Sequence, residues 1–231
     1  MPGMSRFVLA ALVLFNTTMQ AQMPALTAEE KAAGWKLLFD GKSLAGWRSY
    51  KSETPPTGWR AVNGELVRDG EGGDLMTAEQ FDDFELRFEW KVTANGNSGV
   101  IYRIATTEEF PWQTGPEYQI LHNQGHRDGK APITSAGSNY AVNPPTKDLT
   151  RPVGEWNEGR IVARGNRVEH WLNGGKVVEY EINSADWLER VKASKFAKLA
   201  NYGRITRGYI ALQDHGDVVS YRNIKIRTLR P

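Results

Sequence analysis

A histidine and two carboxylates share the turn Asp214-His215-Gly216-Asp217, set between two alternating segments of GYIALQDHGDVVSYRNIKIRTL, residues 208–229. An imidazole placed at the end of a sheet can accept or release a proton near neutral pH, so His215 is a candidate acid or base. The same turn is also ordinary loop chemistry. Period-2 geometry sends Ile210 and Leu212 one way and Ala211, Gln213 and His215 the other. In Glu117-Tyr118-Gln119-Ile120-Leu121-His122 the alternation puts Glu117 and Gln119 on a side that Tyr118 and Ile120 avoid. The segment NSGVIYR, 97–103, offers Arg103 on a face shared with Ile101. Which residue of that segment meets Glu117 depends on strand register; if Arg103 does, the pair is a cross-strand ion pair on a solvated face, worth about 0–1 kcal/mol. His170 falls on the apolar side of Val168-Glu169-His170-Trp171-Leu172, where a hydrogen-bonded core histidine and a functional one are both consistent readings. His122 and His126 stand four apart in a Gly-containing loop, so helical zinc geometry does not apply. Asp214, Asp217 and loop carbonyls could hold a divalent cation, calcium or similar, although the Asp/Asn ladder of a dedicated calcium loop is absent. No other cofactor is indicated.

The elements that must position these groups are short strands. Trp59 to Val62 and Glu65 to Arg68 flank an Asn63-Gly64 pair that suits a type I′ hairpin. Phe84 to Val92 alternates strictly: Phe84, Leu86, Phe88, Trp90 and Val92 share one face, while Glu85, Arg87, Glu89 and Lys91 share the other. Ser98 to Ile104, Glu117 to His122, Arg160 to Arg164, Arg167 to Leu172 and Lys176 to Ile182 continue the series, with Asn173-Gly174 as a second hairpin turn. Between them, residues 123–159 are rich in Gly and Pro and show little periodicity, which predicts a long functional cover. One helical insert is expected after Ser184, with Leu188, Val191, Phe196 and Leu199 on its apolar side. Many strand signals and one helix predict an all-β sandwich of two antiparallel sheets.

The chain has 231 residues, 40% hydrophobic and 24% charged, as suits one globular domain. Its formal charge of +2 includes no long basic run, so a nucleic-acid partner is not expected. Arg6 precedes the apolar run Phe7 to Phe15 and a small residue at Ala21, the outline of a secretory leader over 1–21. That run is too short to span a bilayer and none later approaches the needed length, so the mature chain is expected to be periplasmic or secreted without a membrane span. With no cysteine, disulfides, thiolate metal sites and catalytic thiols are excluded. Nucleophile elbows and phosphate- or dinucleotide-binding glycine loops are likewise absent. Eight tryptophans, several beside Gly or Pro, suit either core packing or sugar stacking.

LFDGKSLAGW (38–47), FDDFELRFEWK (81–91), NSGVIYR (97–103), GPEYQIL (115–121), GEWNEGRIV (154–162), VEHWLNG (168–174) and GYIALQDHG with RNIKI resemble one exported bacterial family, the 3-keto-disaccharide hydrolases or 3-keto-glucoside 1,2-lyase/hydratases. The resemblance covers residues 34–230. It implies a concanavalin-A-like jelly roll acting on glycosides oxidised at the 3-position of the ring. It implies Glu117 and His215 for proton transfer and Arg103 for the oxyanion. Glu89, Gln119, Tyr140, His170 and Gln213 would bind hydroxyl groups, with Trp156 as a stacking wall. Relatives carry Asp where this chain has His122, and a His-Arg-Ala-Gly then Leu-Tyr-Asp pattern where it has Thr134 to Ala141; both fall in or beside the expected cover. A noncatalytic glycan-binding module of the same fold is the alternative reading.

Overall fold

The computed structural model describes residues 23–229, so the expected leader lies outside the described residues. The polar lead-in forms a single helical turn, α1 (Ala28–Ala32). Thr27 Oγ1 accepts from the Glu30 amide and the Glu30 carboxylate accepts from the Thr27 amide, a reciprocal cap that offsets the turn's small size. Thirteen strands are present among the described residues: β1 (Lys36–Leu37), β2 (Trp47–Ser49), β3 (Trp59–Val62), β4 (Glu65–Arg68), β5 (Leu75–Thr77), β6 (Phe84–Val92), β7 (Asn97–Ile104), β8 (Glu117–Leu121), β9 (Asn157–Arg164), β10 (Arg167–Leu172), β11 (Gly175–Glu181), β12 (Tyr209–Leu212) and β13 (Val219–Thr228). All pair antiparallel. The large sheet runs β11-β10-β9-β6-β13-β4-β3 with β1 added on β13, and the small sheet runs β2-β5-β12-β7-β8.

The sandwich predicted from strand spacing is the observed fold. Phe84, Leu86, Phe88, Trp90 and Val92 of β6 meet Val100, Tyr102, Tyr118, Ile120, Ile210 and Leu212 of the small sheet in one continuous core. Each large apolar side chain so buried contributes about 1.5–3 kcal/mol. Both hairpin turns sit at left-handed backbone angles, φ 52° and 82° at Asn63-Gly64 and 47° and 80° at Asn173-Gly174. These are angles that Asn tolerates and Gly adopts freely.

α2 (Ala185–Ala193) is capped by Ser184, whose side chain accepts from the Trp187 amide at 3.2 Å. The buried face is one residue away from the expected one: Leu188 is 43% exposed while Trp187 is 1% exposed. The indole stacks at 6° on Tyr202 and lies over Gly203, where any side chain would collide with it. Val191 and Leu199 are partly buried, and Phe196 is buried beyond the helix end, as expected. Among the described residues no helix is long and apolar enough to cross a membrane.

Candidate active site

Outward-facing positions of the small sheet bring several of the candidate groups together. Val100, Tyr102, Tyr118 and Ile120 fill the space between the sheets, which leaves Asn97, Gly99, Ile101, Glu117 and Gln119 on the outer face. Ile101 joins Met76, Ala211 and Tyr50 in a small apolar patch, half covered by Trp112 and Tyr209. Beside that patch Glu117 is only 5% exposed. It lies over Gly99, where an added Cβ would overlap the carboxylate and stand 2.8 Å from Cδ. Gln213 Nε2 reaches Glu117 Oε2 at 3.5 Å, placed by its own amide bonding to Gly99 O at 2.9 Å. With its amide nitrogen turned to the carboxylate, Gln119 donates to Glu117 Oε1 at 2.8 Å.

Irregular segments complete the enclosure by using the free edge of β8. Gly137 donates to Gln119 O, Gln119 donates to Ser138 O, and Tyr140 donates to Glu117 O at 3.0 Å, which brings the Tyr140 ring to the carboxylate. The phenol donates to Asp128 Oδ2 at 3.0 Å. Lys195, just past α2, holds its ammonium 4.3 Å from the centroid of the Tyr140 ring, a cation–π contact. Burial drives the Glu117 carboxyl well above the usual carboxylate range, to about 8; the positive charge of Lys195 opposes this, and Asp74 and Asp128 reinforce it. Partial burial lowers Lys195 while Glu117 and Asp128 hold it up. Burial thus favours the neutral form of the Glu117 carboxyl, with the positive charge of Lys195 acting against it.

His215 is half exposed at the rim, its ring 6.1 Å from that of His126. His126 Nδ1 accepts from the Asp128 amide, which ties the histidine pair to the Tyr140–Asp128 pair. Asp214 and Asp217 have structural duties. Asp214 accepts from Arg68 at 2.7 Å and from the Gly73 and Gly216 amides, and Asp217 Oδ2 accepts from the Asn97 amide. A calcium ion there would have to displace these donors, so the residues present do not fit the ion considered from sequence. Nor is there, among the described residues, a cluster of three or more His, Cys, Asp or Glu able to hold a metal. Asp74 lies next to this turn and takes the Asp214 amide at 2.7 Å; burial pushes its carboxyl up to about 6.

Glu117, Gln119, Tyr140, Gln213 and, at the rim, His215 thus come together. Four expected residues lie elsewhere. Arg103 has φ 53° at a bulge where β12 pairs Tyr209 with Ile104 and Ile210 with Tyr102, so the alternation slips and its side chain turns away from Glu117. Its guanidinium donates to Gly165 O at 2.8 Å and pairs with Asp83 at 3.3 Å. Glu89 and Trp156 belong to the outer side of the large sheet, with Glu89 bound by Arg222 and Trp156 covered by Arg222 and Lys91. His170 is fully buried between the sheets, bonded to Tyr102 Oη at 2.8 Å and Gly137 O at 3.1 Å. Lys195 and Asp128 are not among the residues expected from sequence: Asp128 lies in the aperiodic 123–159 span, and Lys195 falls in the turn that follows α2, inside the segment read as helical insert. The nearest sequence signal for Asp128 was its place two residues after His126.

Both departures from the family pattern are accommodated structurally. His122 Nδ1 accepts from the Asn95 amide at 3.0 Å and so braces the β6–β7 turn. Thr134 Oγ1 donates to Asp128 O, fixing the turn that carries Asp128.

Comparison with known proteins bears on the family and the fold. The sequence pattern of the 3-keto-alpha-glucoside-1,2-lyase-like domain matches residues 34–227. A protein named 3-keto-disaccharide hydrolase from Bacteroides thetaiotaomicron is 34% identical over 241 aligned residues, covering 90% of this chain and 83% of its own. The crystal structure of a candidate glycosyl hydrolase from Parabacteroides distasonis superposes with a TM-score of 0.85 at 34% identity, covering 90% of this chain and 100% of that one. A carbohydrate-binding module, CBM66 from Bacillus subtilis, has a TM-score of 0.50 at 11% identity over 79% of this chain and 96% of its own, a likeness of fold alone.

Proposed function

The chain belongs to the 3-keto-alpha-glucoside-1,2-lyase-like family, and from that premise we propose that it is an exported enzyme cleaving glycosides whose ring carries a ketone at the 3-position. The ketone acidifies the hydrogen on the ring carbon between it and the anomeric carbon. A base removes that proton, and the C–H electrons form an enolate whose charge rests on the former ketone oxygen. As the carbonyl re-forms, a double bond develops toward the anomeric carbon, its bond to the leaving oxygen breaks, and that oxygen takes a proton from an acid. Water added across the double bond completes net hydrolysis.

The observation that supports this reading is a carboxyl group kept protonated by burial beside an ammonium group. Glu117 is assigned as the acid that protonates the leaving oxygen. Lys195, whose ammonium lies over the Tyr140 ring and whose charge acts on Glu117, takes the enolate-stabilising duty first expected of Arg103. His215 is assigned as the base, with His126 beside it; Gln119, Gln213 and Tyr140 would hold hydroxyl groups. The test is incubation with a 3-keto-glucoside bearing a chromogenic aglycone. Release of the aglycone, abolished in Glu117→Gln with an unchanged circular dichroism spectrum, is the expected result. Saturable binding without product would instead identify a glycan-binding module.

A further inference from the structure

A second groove, of about 400 Å3, crosses the outer face of the large sheet, the face on the far side of the molecule from Glu117. Its axis is a cross-strand row of side chains on four neighbouring strands: Trp171 of β10 stands opposite Arg160 of β9, Arg160 opposite Arg87 of β6, and Arg87 opposite Lys225 of β13. Like charges facing one another across a sheet destabilise it, so three adjacent cations call for a counter-charge. The protein supplies little. Glu85, 1% exposed, serves Arg87 at 2.9 Å, Arg160 at 2.7 Å and also Arg227, and among the described residues no other carboxylate lies within ion-pair distance of these three guanidinium groups. Lys225 is paired with Glu30. The cationic side of the groove therefore keeps an excess of positive charge with outward-facing donors.

The opposite wall differs in character. Glu158 is exposed and stands across from Glu89, which Arg222 and Asn223 already hold. The floor is Gly159, where any side chain would run into the Phe88 ring. Trp171 closes one end, its indole N–H fixed to Glu169 at 2.9 Å and its ring in cation–π contact with Arg160 at 4.8 Å and Lys176 at 6.0 Å, so that the indole and the Arg160 guanidinium form one wall. An aromatic wall, acceptors on one side and, on the other, cations that share one buried carboxylate suit a ligand that bears both hydroxyl groups and one carboxylate. A neutral sugar would leave the cations uncompensated, and a dense polyanion would meet Glu158.

We propose that this groove is a second saccharide-binding site, selective for a uronic acid unit: carboxylate on Arg87 and Arg160, hydroxyls on Glu158, ring against Trp171. It does not rest on the catalytic assignment. The test is isothermal titration calorimetry of the folded mature chain with tetragalacturonate, maltotetraose and dextran sulfate. Expected are saturable binding of tetragalacturonate, about tenfold or more weaker in Arg160→Gln and in Trp171→Ala, and maltotetraose weaker by a similar factor. Glu117→Gln should bind tetragalacturonate as the parent does, and both groove variants should keep the parent's turnover of a small chromogenic 3-keto-glucoside. Arg87→Gln, at a half-exposed side chain, replaces Arg160→Gln if that variant fails to fold. The proposal is overturned by absent uronate binding, by dextran sulfate binding as tightly as the uronate, or by uronate binding that Glu117→Gln removes and the groove variants spare.

Discussion

Glu117 can donate a proton at neutral pH because its charged form lacks solvation where it sits: two amides reach it, but water is nearly excluded. With its carboxyl raised to about 8, the acid is intact below that pH and lost above it. Turnover of a 3-keto-glycoside should therefore fall on the alkaline side around pH 8, measurable as a limb in log kcat/KM, and a profile flat from pH 7 to 9 would remove Glu117 from the acid role. The group needs its neighbour to be small. In Gly99→Ala the new methyl would push on the flexible carboxylate itself, so the cost falls on placement more than on stability. A displacement of about 1 Å is enough to cost on the order of a hundredfold in rate. We expect Gly99→Ala to melt within a few degrees of the parent yet to lose roughly that factor in kcat.

At the scale of elements, a bulge decides what Arg103 does. Its buried guanidinium joins the end of β7 to the 82–83 and 165 turns, a strut between sheets. Arg103→Met should leave Gly165 O without its donor and Asp83 without its ion pair, and lower the unfolding free energy by about 2–4 kcal/mol in urea titration, while the folded fraction keeps its kcat. A kcat loss without destabilisation would restore the oxyanion role. The same bulge marks the limit of what period-2 reasoning can see. Alternation groups Glu117 with Gln119 and Gln213 with Ala211 on the outer face and puts His170 inward, as observed, because side chains keep their two-residue alternation through those segments. It had no signal for the slip at Arg103, which depends on pairing with β12. Alternation also separates inside from outside without saying which sheet's outside is meant, so it offers no check on the grouping of Glu89 and Trp156 with residues of the opposite face that the resemblance implies. Lys195 and Asp128 sit in turns held by local hydrogen bonds and by the edge of β8, features that become visible only once the sheets are assembled.

Across the whole molecule, two buried groups pull the pH dependence of stability in opposite directions. His170, enclosed between the sheets, is held near pKa 4 by loss of solvation, below its ordinary 6.5. Between those values the unfolded chain binds the proton that the folded one refuses, so this contribution is complete above pH 6.5 and fades as the pH falls toward 4. Glu117 is raised from 4.5 to about 8, so the folded chain keeps a proton that the unfolded one releases, and stability declines as the pH climbs through that interval. Because a single continuous core joins the two sheets, both effects bear on one cooperative transition. Difference curves separate them. The unfolding free energy of the parent minus that of His170→Gln should rise by up to ~3 kcal/mol from pH 4 to 6.5 and then level, the drop from 6.5 to about 4 setting the ceiling. Glu117→Gln should instead gain on the parent from pH 5 to 8, as expected if a site built to hold a proton is maintained at the expense of the fold. Parallel curves for Glu117→Gln and the parent over that range would show that the carboxyl is ionised in the folded protein, and the acid role would fall with it.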